Sequence, residues 1–266
     1  MPKAGEIDYL KRIGPGGAEH ALHKPFSDSE CGRYLTEVGT VMQLLPRPPA
    51  RLLDLGVGSG WTTVFLALRG YEAVGQDICP DMVDLALQNR ARYGAAKASF
   101  VLQDYELMEF RGEFDAALFY DSLHHAENES AALRAVFAAL KPGGVCVTVE
   151  PGAGHSIAPI SRRAMETYAV TEKDMPPHHI ITVARAAGFR EFRIYGRPGE
   201  PLSAATYGME GSLEEEPLPG RWRVASRFLE RALRTAFKGS KQRDIDFLFS
   251  RHDGLLENGH IVWMRK

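Results

Sequence analysis

The sequence predicts an α/β protein with a doubly wound, mostly parallel sheet. Three observations carry that expectation. Short apolar runs alternate with segments of helical spacing between residues 51 and 150. A glycine turn, Gly56-Val57-Gly58-Ser59-Gly60, joins the first apolar run to the first of those helices. An acid, Asp77, then closes the next apolar run. Strands that alternate with helices imply a parallel sheet covered on both faces.

The elements follow in order. The first 25 residues are polar and glycine-rich around Gly14-Pro15-Gly16-Gly17, which predicts irregular structure. Ser27-Asp28-Ser29-Glu30 reads as a capping box, in which Ser27 caps and Glu30 reaches back. Tyr34, Leu35, Val38, Val41, Met42 and Leu45 then recur at helical spacing up to Pro46, and Pro48-Pro49 keep the connection extended. A strand is expected over 51–55, a helix over 61–68 stopped by Gly70, and a strand over 71–76. Pro80 suits the first turn of a helix that runs to about Tyr93. Strands at 99–102 and 114–120, a helix at 129–140, a turn at Lys141-Pro142-Gly143-Gly144 and a strand at 145–150 complete the alternation. Beyond Pro151 the pattern loosens into helices over 161–170 and 180–187, ended by Gly188, and a strand over 191–195. Residues 198–258 hold an acidic stretch (Glu210, Glu214, Glu215, Glu216) and a basic amphipathic helix over 221–237, before a last strand at 260–264.

Composition bounds the partners. The chain has 266 residues, 44% hydrophobic and 25% charged, with a net charge of −2. These are values of a globular chain, and the net charge argues neither for nor against a polyanionic partner. The 3 cysteines, Cys31, Cys79 and Cys146, have neither disulfide-framework nor zinc spacing, which fits a reducing cytoplasm. The opening residues lack the apolar core of a secretory signal, and no apolar run is long enough to span a bilayer.

The glycine turn narrows the ligand. A dinucleotide fingerprint is Gly-x-Gly-x-x-Gly, whose third glycine lets helix and strand pack closely. Here that third position is Trp61. A pyrophosphate-binding turn is disfavoured, and a smaller nucleoside without a diphosphate remains open. Backbone N–H groups at a helix N-terminus attract a carboxylate. Asp77, at the carboxyl end of the second strand, suits a ribose diol.

Leu53 to Gly60, Asp77, Asp104, the 114–121 strand and the Leu140-Lys141-Pro142-Gly143-Gly144 turn together resemble the class I S-adenosylmethionine (SAM) dependent methyltransferases. The nearest likeness is to the bacterial group that acts on small molecules. The resemblance covers roughly residues 50 to 197 and the final strand. It implies seven strands, the last antiparallel, with 191–195 and 260–264 at one sheet edge. Residues 1–49 become an N-terminal helical cap, 50–197 the SAM-binding core, 198–258 an insertion and 259–266 the final core strand. It also implies that Asp54 lies near the SAM ammonium, Gly56, Gly58 and Gly60 cradle the carboxylate, Asp77 holds the ribose and Asp104 accepts from the adenine amino group. Ile78 and Met82 would sandwich the ring, and Tyr105 and Tyr120 would flank the cofactor.

The fourth strand ends in Tyr120-Asp121-Ser122-Leu123-His124-His125. Ligands sit beyond the carboxyl ends of strands in open α/β sheets. That places His124 and His125 near the methyl donor as candidate general bases, His124 favoured slightly, with Glu150 on the same rim as a third. Asp121, His124, His125, His155, His178 and His179 are available as metal ligands. Adjacent histidines share no face of a helix or strand, and no His-Glu-x-x-His pattern exists, so no metal is expected. Methyl transfer to a small-molecule oxygen or nitrogen is the expected function. One rival is an RNA or DNA methyltransferase gripping phosphates with Arg221, Arg223, Arg227, Arg231 and Arg234. The missing Asn/Asp-Pro-Pro-Tyr motif argues against it, and the overall charge is slightly negative. The others are a SAM-binding interaction protein without turnover and a nicotinamide dehydrogenase, the last weakened by Trp61.

Overall fold

Leu52, Leu53 and Leu55 lose all but about 1% of their exposure, as expected of a strand packed on both faces. They form β1 (Arg51–Leu55), which pairs in parallel with β2 (Glu72–Asp77) on one side and β4 (Phe114–Tyr120) on the other. The computed structural model describes residues 3–198 and 259–266, with two short segments at Thr206–Tyr207 and Leu213–Glu214. In chain order the remaining core strands are β3 (Ala98–Leu102), β5 (Leu140–Glu150), β6 (Glu191–Gly196) and β9 (His260–Arg265). The sheet has 7 strands in the order β3-β2-β1-β4-β5-β9-β6. β9 runs antiparallel between β5 and β6, as the resemblance implied. From β1 the chain winds outward to β3, then returns to β4 beside β1 and winds the other way. The switch point therefore lies between β1 and β4, where the carboxyl ends of the strands open a crevice.

The helices begin and end where backbone chemistry allows. α4 (Trp61–Arg69) starts after Gly60 at φ +72° and stops at Gly70 at φ +116°. α5 (Pro80–Arg92) and α8 (Pro177–Ala187) open on prolines, whose missing N–H costs nothing in a first turn. The Asn128 side chain accepts from the Ala131 N–H at 2.9 Å and caps α6 (Glu129–Ala139). α7 (Pro159–Tyr168) likewise starts at a proline.

Several expectations need correction. Residues 4–22 are mostly helical, as α1 (Ala4–Ile7) and α2 (Tyr9–Leu22). Gly14, at φ 70° and ψ −175°, breaks α2, and Pro15 opens its second segment, so this pair marks a kink within a helical segment. Tyr9, Leu10, Ile13, Ala21 and Leu22 pack on Cys79, Met82 and Leu85, which outweighs the poor local propensity. The capping box does not form: α3 (Cys31–Leu44) starts later, and the Ser27 hydroxyl donates to the His20 carbonyl at 2.7 Å. Lys141-Pro142-Gly143-Gly144 lies within β5, as an irregularity between the Leu140 and Val145 pairings. α7 and α8 start earlier than expected because Pro159 and Pro177 take their first positions.

The chain divides into one unit of residues 1–198 and 253–266 and a second of residues 199–252. Of the second, only the antiparallel pair β7 (Thr206–Tyr207) and β8 (Leu213–Glu214) is described. The expected basic helix at 221–237 lies outside the described residues. Among the described residues no helix is long and apolar enough to cross a membrane.

Candidate active site

The three turn glycines all adopt left-handed backbone, at φ +66° (Gly56), +54° (Gly58) and +72° (Gly60). Their surroundings divide them. A Cβ on Gly60 would meet the Ala86 Cβ at 2.6 Å and the Phe100 ring at 2.7 Å, so this glycine lets α4 pack on α5 and β3. A Cβ on Gly56 would meet the Ser122 Cβ at 2.7 Å. Above Gly58 the nearest atom is the Met82 sulfur at 4.0 Å, and the space belongs to a cavity. Of the three proposed cradle glycines, Gly60 is the one packed against neighbouring elements, and it lines neither cavity.

That cavity holds about 240 Å³ and is lined by Gly56, Gly58, Asp77, Ile78, Met82, Asp104, Tyr105 and His125 among others. It adjoins a second cavity of about 430 Å³ that shares Tyr9, Gly56, Gly58, Met82 and Asp121 and adds Trp61 and Tyr120. Both open at the β1–β4 switch point.

The acids occupy distinct places. Asp77 ends β2; one carboxylate oxygen accepts the Gly58 N–H at 2.7 Å and the other the Cys79 N–H at 2.8 Å. Burial raises its pKa against those two donors. Asp104 lines the cavity and is paired with Lys3 Nζ at 2.6 Å, which also reaches Glu106 at 2.7 Å. The Tyr105 hydroxyl donates to the Ser122 carbonyl at 3.1 Å, and burial pushes its phenol well above the ordinary range. Asp54 departs from expectation. It lines neither cavity, and its Oδ2 accepts the hydroxyls of Thr62 and Thr63, each at 2.7 Å. It fastens β1 to the first turn of α4, and burial pushes its pKa up to about 6. Tyr120 borders the second cavity, where its hydroxyl donates to the fully buried Glu37.

The three candidate bases also separate. Asp121, at φ 48°, turns the chain out of β4 into a short 3₁₀ turn at Leu123–His125. Glu150 is fully buried, and its carboxylate accepts the N–H groups of Ser122 (3.2 Å), Leu123 (2.7 Å) and His124 (3.3 Å). Burial, then the Asp121 charge, raise its pKa to about 8 against those donors. His124 Nδ1 lies 2.7 Å from Glu150, and burial together with the charge of His125 lowers its pKa to about 3. Neither His124 nor Glu150 lines either cavity, which corrects the placement of both as bases on the rim. His125 does line it, with Nδ1 donating to the Thr171 carbonyl at 2.6 Å. Burial lowers its pKa, but Glu6, Glu172 and that carbonyl outweigh burial and bring it to about 9.

The ground for setting a metal aside also changes. In the 3₁₀ turn the His124 and His125 ring centroids are 4.1 Å apart, so these neighbours do share a direction. His155 joins them, bonding Glu172 at 2.6 Å. His179 lies elsewhere, by Glu129 at 3.5 Å, and Asp121 pairs with Arg197 at 2.5 Å.

Five charged residues in or beside the candidate site had no sequence signal: Lys3, Glu6, Glu37, Glu172 and Arg197. Arg197 holds Glu37 at 2.7 Å and Asp121, tying α3 to β4 and β6. None lies in a motif, and each meets its partner from a remote segment.

The methyltransferase domain family model matches residues 53–148. The S-adenosyl-L-methionine-dependent Diels-Alderase iccD of Talaromyces variabilis is 32% identical over 146 residues, which is 51% of this chain and 49% of that protein. A ubiquinone biosynthesis O-methyltransferase of Xanthomonas axonopodis is 32% identical over 97 residues, 36% of this chain and 40% of that one. The chain thus spans half or less of these relatives' length. The fold is shared with phosphoethanolamine N-methyltransferase 2 of Haemonchus contortus in complex with SAM, at a TM-score of 0.61 and 18% identity, covering 99% of this chain and 58% of that one. The matched stretch runs from Leu53 in β1 through the glycine turn, Asp77, Asp104 and β4 to Thr148 in β5, so residues 53–148 are similar to a methyltransferase domain, on a fold shared with a SAM-bound methyltransferase.

Proposed function

We propose that this chain transfers a methyl group from SAM to the oxygen or nitrogen of a small molecule. One observation carries the reading: the open space over Gly58, the Asp77 carboxylate and His125 all border one cavity at the switch point. That cavity fits the donor in particulars. A side chain at Gly58 would enter it, Asp77 offers a carboxylate for a diol, and Ile78 and Met82 offer apolar faces for a purine. Asp104 suits the adenine amino group because its carboxylate keeps lone pairs beyond the one that accepts from Lys3. When bound, SAM supplies an electrophilic methyl.

The protein's own contribution is placement. The glycine turn and Asp77 fix the donor, and the wall formed by Glu6, His125 and Glu172 bounds the acceptor. Alignment of nucleophile, methyl and sulfur provides most of the acceleration available to a direct displacement. A cavity of small-molecule size supports a small acceptor. A second reading has a specific ground: the relative aligned over 146 residues is named a Diels-Alderase. In that reading SAM is bound and not consumed.

The test is incubation of the protein and cell extract with methyl-labelled SAM, together with calorimetric SAM titration. The proposal expects a labelled small product, and at least tenfold weaker SAM binding by Asp77→Ala. SAM binding with no label transferred from any extract would favour the second reading. Unchanged SAM affinity in Asp77→Ala would remove the assignment of the cavity.

A further inference from the structure

His124, His125 and Glu172 come from two loops, after β4 and after α7, and meet beside the cavity. One ligand atom of each lies within 4.8 Å of the others. Each is oriented by a separate partner. The buried Glu150 carboxylate takes His124 Nδ1 at 2.7 Å, and the Thr171 carbonyl takes His125 Nδ1 at 2.6 Å. In both rings that leaves Nε2 as the nitrogen free to ligate, from which a bound ion would displace any proton. His124 Nε2 stands 3.6 Å from the Glu172 carboxylate, which His155 steadies at 2.6 Å.

Metal-bound histidines almost always give their other ring N–H to a carboxylate or carbonyl, which fixes tautomer and direction. Here both histidines are held in that way, and a carboxylate completes the set. Ion-pair formation alone explains less. Glu150 is fully buried yet bonds His124 on the side away from Glu172.

We propose that His124, His125 and Glu172 bind a divalent transition-metal ion at the wall of the cavity. Two imidazoles and one carboxylate suit zinc or iron(II) over magnesium or calcium, which prefer oxygen. Bonds of roughly 2.0–2.2 Å require the three atoms to draw together by about an ångström. Three protein ligands leave a coordination position open. His125 and Glu172 line the cavity, so that position faces it. An acceptor hydroxyl bound there would be polarised; this consequence rests on the methyl-transfer reading, whereas metal binding does not.

The experiment uses the full chain stripped of metal by a chelator. Zn²⁺ affinity is read by competition with a chromophoric chelator, and Co²⁺ by its visible absorption. The wild type should bind one equivalent and give an intense low-symmetry cobalt spectrum. Glu172→Gln and His124→Gln should each lose about 100-fold or more in Zn²⁺ affinity, and Glu150→Gln about 10–100-fold through its ring contact. His179→Ala should bind as the wild type does. Thermal unfolding confirms that each variant is folded, and two ligand variants ensure that one misfolded protein does not decide the result. Equal Zn²⁺ affinity in the wild type and a folded Glu172→Gln, or a pale octahedral cobalt spectrum in the wild type, overturns the proposal. Zinc binding without SAM binding would sustain this site and reject the methyl-transfer reading.

Discussion

Replacing Gly60 and Gly58 by alanine, one at a time, separates packing from ligand binding within a single turn. Both residues are left-handed, at φ +72° and +54°, so alanine at either place costs about 1–2 kcal/mol in backbone strain. Alanine also restricts the unfolded chain, which returns about 0.4–1 kcal/mol to both variants alike. At Gly60 the new methyl meets the Ala86 Cβ at 2.6 Å and the Phe100 ring at 2.7 Å. Neither is the end of a flexible chain, so overpacking adds about 1–3 kcal/mol. At Gly58 the nearest atom is 4.0 Å away, and no such addition arises. Gly60→Ala should therefore be less stable than Gly58→Ala by about 1–3 kcal/mol in urea unfolding without SAM. Gly58→Ala should in turn lose at least tenfold in SAM affinity by calorimetry, because its methyl enters the cavity. Equal stability in the two variants, or wild-type SAM binding by Gly58→Ala, would refute the division of labour drawn from the turn.

Three further outcomes follow from buried charge. Burial raises Asp54 to about 6 from an ordinary 3.8, so between those values the native state keeps a proton that the unfolded chain has released. Its contribution is present at low pH and is lost as pH rises through that window, on the order of 3 kcal/mol. Asp54→Asn keeps an acceptor for Thr62 and Thr63 and should remove this loss; urea midpoints of the two proteins that stay parallel from pH 4 to 7 would contradict it. Arg197→Met leaves Glu37 fully buried with Arg33 as its remaining cation, and should cost about 3 kcal/mol, the lower end for a broken buried pair. A change below about 0.5 kcal/mol, as at an ordinary surface site, would show that Arg33 suffices. His125→Ala should lower turnover at least tenfold while SAM affinity stays within threefold, and a parallel fall in both would assign His125 to donor binding.

The sheet was legible because its information is local. β1, β4 and the alternation around them are written in runs of apolar residues bounded by glycine and proline, and Gly70, Pro80 and Gly188 end or open helices as their backbone preferences require. The failures share a cause. Gly14-Pro15-Gly16-Gly17 reads as loop, yet the contacts of Tyr9, Leu10 and Ile13 with Met82 and Leu85 hold a helix there. Ser27-Asp28-Ser29-Glu30 has capping-box chemistry, yet Ser27 finds the His20 carbonyl first. Tertiary contact outweighed propensity in both.

The site divides along the same line. Residues bordering the glycine turn were readable because the turn, Asp77 and the end of β4 converge in any doubly wound sheet. The direction of each polar side chain was not. His124 and His125 are adjacent in sequence, and their separate fates depend on Glu150 and Thr171, which lie 26 and 46 residues away from their respective partners. Glu150 ends β5, as expected, but three backbone N–H groups of the loop after β4 turn its carboxylate inward. A buried carboxylate is stable only where donors converge on it. The loop that carries the histidines is thus shaped by the group first assigned to their chemical role. Three loop N–H groups converge on Glu150, so the order of that loop is tied to its carboxylate.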